Sequence, residues 1–560
     1  MKRSTPIHRS AAHHRRHVLA WIAITALVTA GCGSSDNDTA SSGTTSSGNA
    51  SGTTSGPASG TASGTASDPA SGTASTDVLR MVLSTDPAPL DPDTYYESEG
   101  VRITRAAYEG LARYDADGAL VPNLAVDWTI SDDGLTYTFS LRPDVRFADG
   151  TPFDSAAAKA SFQRLIDLAG GPSYMLAGIA KMATPDPLTF VVSLASPDPS
   201  FLAYQASAWG PTMISPTAVE EHQVKGDRAT AWLANHTAGT GPFQLTDVRP
   251  SDLYTMTANP DYWGGPPNFA RLELPVVPDF ATQRLQLEQG DIDVIGLGLS
   301  LQDLESLATT DGVSVVTSKS AQRTLLSVNP NSTVFADQAV RTALQQHLDR
   351  ARLTKDFYGQ YATPATDVFG FDVLPHGAAP DEAIGDPDAL AAALAPYSGQ
   401  SITLGYYVEL NEGRLAELIQ LDLQEAGLDV TIQPFQASTI FALPTDPTQR
   451  PDLLLGAWEP DTLTADNFAR IYWYTDSPLN FLGCSVPDAD AALDRAAGII
   501  DEKARQQAVI EAAIAYRNSG CWVSIADQQG TFAVRSDLQD IDTERNQTGM
   551  LRVDHLRRSS

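Results

Sequence analysis

The sequence predicts an α/β fold with more than one domain, on three observations. The chain has 560 residues, which is enough for several hydrophobic cores. Apolar residues alternate with period two at 136–142 and 188–194, which indicates half-buried strands. Apolar residues recur at helical spacing at 338–353 and 412–426. Strands interleaved with helices through the body of the chain predict an α/β arrangement.

Each of these elements rests on a short apolar series. The strand positions are Tyr137, Phe139 and Leu141 in the first segment, and Leu188, Phe190, Val192 and Leu194 in the second. The helix positions are Val340, Leu344 and Leu348, and then Leu415, Leu418, Ile419 and Leu423. Between the two strands, Asp149-Gly150 predicts a tight turn, and Asp154 with Ser155 predicts the cap of a following helix.

The N-terminus has the pattern of an export signal. A basic segment ends at Arg16 and His17, and an uncharged stretch of 13 residues follows, which is short for a membrane-spanning helix. Small residues then precede Cys32, as in the lipobox of bacterial lipoproteins, so we expect residues 1–31 to be a lipoprotein signal peptide and Cys32 to be acylated. Thr29 stands where the lipobox usually has leucine, so ordinary signal-peptidase cleavage stays open as the alternative.

Residues 32–77 are predicted to be a flexible tether. They consist mainly of Ser, Gly, Thr and Ala, with repeated SGTAS units and almost no large apolar side chains. Such a segment cannot bury enough surface to fold, and it behaves as a flexible coil. A tether behind an acylated cysteine would let a folded domain move near a membrane partner.

Charge and cysteine content limit the classes of function. The formal net charge is −31, which disfavours binding to nucleic acids and to anionic lipid surfaces and could weakly attract cationic ligands. Cys484 and Cys521 could pair in the oxidising compartment that an exported protein meets. Sequence does not give their separation, so a disulfide and two free thiols both stay open.

Several motifs, in order, resemble the bacterial extracellular solute-binding proteins of family 5, which include dipeptide-, oligopeptide- and nickel-binding proteins. The strongest is LTYTFSLRPDVRFADGTPF at 135–153. The others are LDP at 90–92, GTGPF at 239–243, NPDYWGGPP at 259–267, LEQGDIDVI at 287–295, FADQAVRTALQQHLDR at 335–350 and PDLLLGAWEPD at 451–461. The resemblance covers nearly all of residues 78–538.

This resemblance implies a two-lobed periplasmic-binding-protein fold of the large peptide-binding class (type II), with an extra subdomain inserted in the first lobe. Lobe 1 would comprise residues 78–325, including the inserted subdomain at 108–236. Lobe 2 would comprise 326–524, and residues 525–560 would return to lobe 1. Chain crossings near Ser327–Asn329 and Val523–Ala526 would form the hinge, and ligand would close it.

The resemblance also supplies candidate ligand contacts. Asp461 matches the aspartate that pairs with the ligand's α-ammonium group in the peptide-binding branch, and Glu459 is a second candidate for that role. Trp458 and Trp209 would form cleft walls that stack on the ligand. Tyr95 and Tyr96 follow the LDP motif, near a segment that lines the cleft in the family. Ordinary core packing is the alternative for each aromatic residue, and a solvated loop acid is the alternative for Asp461.

No motif in the sequence indicates an enzyme, a metal site or a cofactor. The nucleophile elbow, the phosphate-binding loop and the zinc-protease motif are absent from the sequence, and no histidines have metal-ligand spacing. We therefore expect a monomeric binding protein that takes a short peptide, works with a membrane-embedded ABC permease, and is held by the lipid at Cys32. Two alternatives stay open: a non-peptide solute such as a nickel chelate, an oligosaccharide or an opine-like compound, and a surface lipoprotein that recognises a protein partner.

Overall fold

The computed structural model describes residues 77–559, apart from 88, 297, 371–372, 376, 382–384, 409–411 and 545–549. The predicted signal peptide, Cys32 and the tether up to residue 76 lie outside the described residues. No helix in the described part of the chain is long and apolar enough to cross a membrane.

Fifteen α-helices are present in that part. They are α1 Val101–Ala107, α2 Ser155–Leu168, α3 Phe201–Tyr204, α4 Pro216–His222, α5 Thr230–Leu233, α6 Phe280–Gln289, α7 Leu301–Leu307, α8 Gln338–His347, α9 Arg350–Tyr358, α10 Pro387–Leu394, α11 Gly413–Glu425, α12 Ala437–Ile440, α13 Ala465–Tyr472, α14 Pro487–Ala497 and α15 Glu502–Ser519. Short 3₁₀ helices occupy Gly171–Leu176, Ala395–Tyr397 and Pro447–Gln449.

The strands of the same part run from the first residues of the body to its C-terminus. They are β1 Val78–Arg80, β2 Ala112–Tyr114, β3 Leu120–Pro122, β4 Ala125–Ile130, β5 Thr136–Leu141, β6 Ile179–Asp186, β7 Thr189–Leu194, β8 Phe243–Arg249, β9 Leu253–Ala258, β10 Arg271–Pro275, β11 Val294–Ile295, β12 Val313–Val328, β13 Ala362–Pro364, β14 Ser401–Tyr407, β15 Asp429–Phe435, β16 Leu453–Trp458, β17 Trp522–Arg535, β18 Leu538–Gln539, β19 Thr543–Glu544, β20 Met550–Leu551 and β21 Arg557–Arg558.

Three sheets of four or more strands organise the described body, beside three two-stranded sheets. The first lobe contains the four-stranded sheet β1-β10-β9-β8, and the inserted subdomain contains the antiparallel sheet β4-β5-β7-β6. The third sheet has the order β11-β17-β12-β16-β14-β15, with β13 paired to β17. Its strands β14 to β16 carry the second lobe, and helices pack against them. This is the predicted two-lobed α/β fold with an inserted subdomain, and the fold class is confirmed.

Two long antiparallel strands join the lobes. β12 and β17 pair along most of their length, and the predicted lobe boundaries at 325/326 and 524/525 lie within these strands. The ladder is regular from Leu325–Ser524 to Ser327–Trp522, and its register shifts between Lys319 and Arg323 and again between Thr324 and Leu325. Where the ladder shifts, the buried Arg323 guanidinium is bonded to the Asp527 carboxylate, with Nε 2.6 Å from Oδ1.

The predicted local elements are largely confirmed. β5 begins at Thr136 as predicted, and β7 begins at Thr189, one residue after the predicted start. Gly150 has φ +80° in the predicted tight turn, and the Asp154 carboxylate accepts a hydrogen bond from Ala157 N at 2.9 Å as the cap of α2. The predicted helix at 412–426 is α11.

One predicted helix is wrong in its extent. The segment 338–353 forms two helices, because α8 ends at His347 and Asp349 caps a new helix, α9. The Asp349 carboxylate accepts a hydrogen bond from Arg352 N at 2.9 Å. Leu348 remains buried in the same core as Leu344, so the apolar spacing identified the buried face but not the break in the backbone.

A buried ion-pair cluster fixes the inserted subdomain to the first lobe. Arg164 of α2 is bonded to both carboxylate oxygens of Asp91, at 2.9 and 2.6 Å, and to Asp93. Asp91 is the acid of the LDP motif and has no solvent exposure. The motif therefore holds the base of the segment that carries Tyr95 and Tyr96.

Candidate functional site

Asp461 lies where the two lobes meet. It follows β16, all six residues of which are buried, so the turn after this strand is fixed by the second lobe's core. The Asp461 side chain is only 4% exposed. The hydroxyl groups of Tyr96 and Tyr174, both from the first lobe, donate hydrogen bonds to Asp461 Oδ2. An acid of one lobe is thus held by two hydroxyls of the other.

Glu459 forms a second acidic group two residues earlier. Ser98 Oγ donates to its Oε1 at 3.1 Å, and the Tyr472 hydroxyl donates to its backbone carbonyl at 2.9 Å. The residue as a whole is partly exposed, but Oε2 is enclosed and accepts no hydrogen bond within the described part of the chain. Glu459 is therefore oriented by one hydroxyl, with its other oxygen unused.

Burial changes the proton affinity of both acids. It raises the pKa of Asp461 to about 6, although the hydroxyls of Tyr174 and Tyr96 favour the charged form and act against the rise. Burial also raises the pKa of Glu459 to about 7, and the neighbouring charge of Asp461 adds to that rise. The two carboxylates therefore pay a desolvation cost when the lobes are in contact.

Aromatic rings surround the two acids. On the first-lobe side, Trp209 lies with its ring centroid 5.3 Å from that of Tyr96. Trp209 is 8% exposed, and its Nε1 is buried without a hydrogen-bond acceptor among the described residues. On the second-lobe side, Trp458 lies 5.7 Å from Tyr472 between ring centroids and 5.9 Å from Tyr407.

The six residues predicted to contact ligand do not all lie at the lobe contact. Tyr96, Trp209, Glu459 and Asp461 lie together at the lobe contact. Trp458 lies beside them but also packs in the second lobe's core, 4.8 Å from Phe481 between ring centroids. Tyr95 points away: its ring is buried in the inserted subdomain's core, and its hydroxyl accepts a hydrogen bond from Gly100 N at 2.6 Å.

Sequence reasoning missed Tyr174, Ser98 and Tyr472. Tyr174 comes from the 3₁₀ helix of the inserted subdomain, 287 residues before Asp461. Asn467 Nδ2 donates to the Tyr174 hydroxyl at 3.3 Å. No motif marks these residues in the sequence. The roles of Tyr174 and Ser98 depend on how the two lobes approach each other, whereas Tyr472 bonds Glu459 within the second lobe.

Hydrogen bonds and side-chain packing also join the lobes elsewhere. Ser200 Oγ and Thr464 Oγ1 are 3.1 Å apart. The Tyr114 hydroxyl accepts a hydrogen bond from Leu463 N at 3.2 Å, and the Leu463 side chain packs against a small apolar cluster of the first lobe.

A cavity adjoins this site on the first-lobe side. Its volume is about 70 Å³, and Ser98, the residue that bonds Glu459, forms part of its wall. Its basic wall residues are Arg102, Arg105, Arg113 and Arg552, and its acidic ones are Glu109 and Asp554. Burial raises the pKa of Glu109 to about 7, against hydrogen bonds from Trp263, Thr240 and Tyr262. The wall therefore carries more positive than negative side chains in a chain whose net charge is −31.

The family model for bacterial extracellular solute-binding proteins, family 5 (Middle), matches residues 119–479. The chain belongs to this family.

Curated relatives extend the comparison across ligand types. A probable D,D-dipeptide-binding periplasmic protein of Escherichia coli K12, DdpA, is 32% identical over 278 residues, which are 49% of this chain and 53% of the relative. The glutathione-binding protein GsiB of Salmonella paratyphi A is 32% identical over 289 residues, 50% of this chain and 53% of the relative. The nickel-binding periplasmic protein of E. coli K12 is 27% identical over 385 residues, 64% and 71% of the two chains. The match spans about half the length of the first two relatives.

Solved structures share the fold of this family 5 protein. DppA of Helicobacter pylori in complex with the peptide STSA has a TM-score of 0.73 at 22% identity, covering 86% of this chain and 98% of that one. NikA of Brucella suis in complex with Fe(III)-EDTA has a TM-score of 0.77 at 22% identity, covering 86% and 100%. At this level of identity, the likeness concerns the fold alone.

The family 5 chain has a disulfide, which the sequence had left open. Cys484 and Cys521 are joined by a disulfide in the second lobe's core, with Cα atoms 6.3 Å apart. Within the described residues, no group of three or more His, Cys, Asp and Glu side chains is arranged to hold a metal ion. Cys32 lies outside the part that the structure describes.

Proposed function

We propose that this protein is the extracytoplasmic solute-binding component of an ABC importer and that it captures a short peptide between its lobes. One observation carries the proposal: Asp461, a buried carboxylate at the lobe contact, is held by hydroxyl groups of the opposite lobe. A peptide's α-ammonium group would supply the opposite charge that a buried carboxylate requires. The relatives that bind a D,D-dipeptide and glutathione support a ligand of this kind.

The surroundings of Asp461 suit the rest of a peptide. The unused Nε1 of Trp209 is a buried donor that a peptide carbonyl could satisfy. Arg113 in the wall of the adjoining cavity suits the peptide's carboxylate, since guanidinium groups bind carboxylates in a bidentate manner. Arg102 and Arg552 of the same wall are already paired with Glu99 and Asp554. The ligand would then run from Asp461 past Ser98 towards this cavity.

Closing of the lobes would trap the ligand. We place the hinge near Ser327–Asn329 and Val523–Ala526, in the region of β12 and β17, which are the strands shared by both lobes; the register shifts at Lys319–Arg323 and Thr324–Leu325 lie next to it. We propose that lobe 1 comprises residues 78–325 with the insert at 108–236, that lobe 2 comprises 326–524, and that residues 525–560 return to lobe 1. We further propose a signal peptide at 1–31, a tether at 32–77 and a lipid at Cys32 that keeps the monomer near its membrane permease.

Substitution at Asp461 tests the peptide proposal. We expect Asp461→Asn to weaken dipeptide binding at least tenfold in calorimetry, because the ammonium loses its charged partner in a desolvated site. Asp132→Asn, at an exposed acid in a turn of the inserted subdomain, is the matched control and should bind as the wild type does. Equal affinity in Asp461→Asn and wild type would remove Asp461 from the ligand site.

A nickel chelate is the second candidate, because the nickel-binding relative aligns over 64% of this chain and the cavity wall could hold an anionic chelator. Gently purified protein, residues 75–560, would be denatured and the released molecules identified by mass spectrometry, with bound metals measured in parallel. Short peptides without stoichiometric metal support the peptide proposal. Metal released with a chelator overturns it in favour of the second candidate.

A further inference from the structure

Glu459 differs from three other buried or partly buried acids in the described chain. Asp91, Asp381 and Asp527 are each bonded to an arginine, namely Arg164, Arg350 and Arg323. Glu459 has no arginine or lysine partner, and its enclosed Oε2 accepts no hydrogen bond in the described residues. Glu109 also has no arginine bonded to it, but its carboxylate accepts hydrogen bonds from Thr240, Tyr262 and Trp263. Among the described residues the Glu412 carboxylate accepts no hydrogen bond either, but Glu412 lies near Tyr358, which packs against the second lobe's core.

Asp461 cannot be the partner that Glu459 lacks. The two carboxylates repel each other, since the charge of Asp461 disfavours the ionised form of Glu459. One ligand ammonium bound to Asp461 would neutralise one of the two charges and leave the other enclosed. A second positive charge is needed to neutralise the site completely.

The aromatic surroundings also suit a cation. Tyr96 and Trp209 lie on one side of the two acids, and Trp458 and Tyr472 lie on the other. The faces of aromatic rings attract cations, and cages of such rings recognise ammonium groups. These rings are an observation independent of the carboxylates, and they favour the same class of ligand.

Resting on the proposed peptide function, we propose that Glu459 binds a second cationic group of the ligand, so that the protein selects peptides whose first residue is basic. The α-ammonium group would lie at Asp461, and the side-chain ammonium or guanidinium of the same residue would lie at Glu459. Ser98 orients Glu459 by its bond to Oε1 and leaves Oε2 for the ligand.

The test compares two dipeptides that differ in one charge. Lysyl-alanine carries a side-chain ammonium, and norleucyl-alanine has an apolar chain of similar length. We expect wild-type protein to bind lysyl-alanine at least tenfold more tightly in calorimetry. Glu459→Gln should bring the ratio of the two affinities close to one, whereas Asp461→Asn should weaken both peptides and keep the ratio.

Controls separate this inference from the peptide proposal. Glu417→Gln changes an exposed acid of α11 and should keep the wild-type ratio. If the two dipeptides bind wild type equally, or if the ratio survives in Glu459→Gln, the inference is wrong while the peptide proposal stands. If cadaverine, which is a dication without a peptide bond, binds in a Glu459-dependent manner and neither dipeptide does, the peptide proposal fails and the assignment of Glu459 stands. If none of these molecules binds, both are wrong.

Discussion

Closing of the ligand-free protein should depend on pH through Asp461. With the lobes in contact, burial raises the pKa of this carboxyl from 3.8 to about 6. When the lobes separate, the side chain meets water and its pKa should return to its ordinary value. At about 1.4 kcal/mol per pH unit, desolvating the charged form opposes closing by about 3 kcal/mol at neutral pH.

The direction of this pH effect follows from proton binding. The closed form has the higher pKa, so closing takes up a proton, and low pH favours the closed form. As far as Asp461 is concerned, the free energy of closing is most favourable below about pH 4. It becomes less favourable between pH 4 and 6 and does not change further above pH 6. Glu459 has the same sign, with a window from 4.5 to about 7. A cationic ligand would offset both costs.

Asp461→Asn should remove most of the pH dependence of lobe closing between pH 4 and 6. We expect the variant's ratio of closed to open molecules at pH 7 to exceed that of the wild type by up to about 100-fold, which is the 3 kcal/mol expressed as a ratio. Small-angle X-ray scattering of ligand-free protein between pH 4 and 8 would measure it as the radius of gyration. Pairing Asp461→Asn with Glu459→Gln should flatten the profile.

A pH-independent radius for the wild type, with Asp132→Asn as the exposed-acid control, would refute this reasoning. So would an identical profile for wild type and Asp461→Asn. Either result would mean that the two carboxylates do not change their exposure when the lobes move.

Three further predictions concern stability and anchoring. Arg164→Met should lower the free energy of unfolding by about 3–5 kcal/mol in urea titrations, because it leaves Asp91 and Asp93 buried and unpaired. The control is Arg228→Met, which removes an exposed arginine paired with Asp167 and should lower the free energy of unfolding by less than about 1 kcal/mol. Replacing Cys484 and Cys521 with serine should cost about 4 kcal/mol, from the chain entropy of a loop with a sequence separation of 37, and an unchanged melting temperature would contradict this. Cys32→Ser should release the protein from the membrane fraction of the cells that export it, and continued membrane association would argue against the lipid anchor.

Sequence patterns predicted the elements whose causes are local. Alternation at Tyr137, Phe139 and Leu141 identified β5, because a half-buried strand requires that pattern. Asp154 was identifiable as a cap from the residues around it. The break between α8 and α9 was missed because Leu348 continues the apolar spacing across it.

The candidate site was predictable only in part. The segment AWEPD pointed to Asp461 and Glu459, since the acids follow a buried strand and resemble a family motif. Tyr174 and Ser98 could not be found, because each contacts an acid more than 280 residues away and only through the approach of the lobes. Tyr95 and Tyr96 looked equivalent in sequence, yet only Tyr96 points to Asp461.

The distribution of contacts explains how a tight site can also open. The two lobes share the continuous ladder of β12 and β17, so their connection survives when the cleft changes. Across the cleft, Tyr96, Tyr174 and Ser98 donate hydrogen bonds to the two acids, and water can replace such bonds at small net cost. The acids at their centre become more stable in water when no cation is present. The empty cleft therefore favours opening at neutral pH, and the ligand's positive charge supplies the energy that holds it closed.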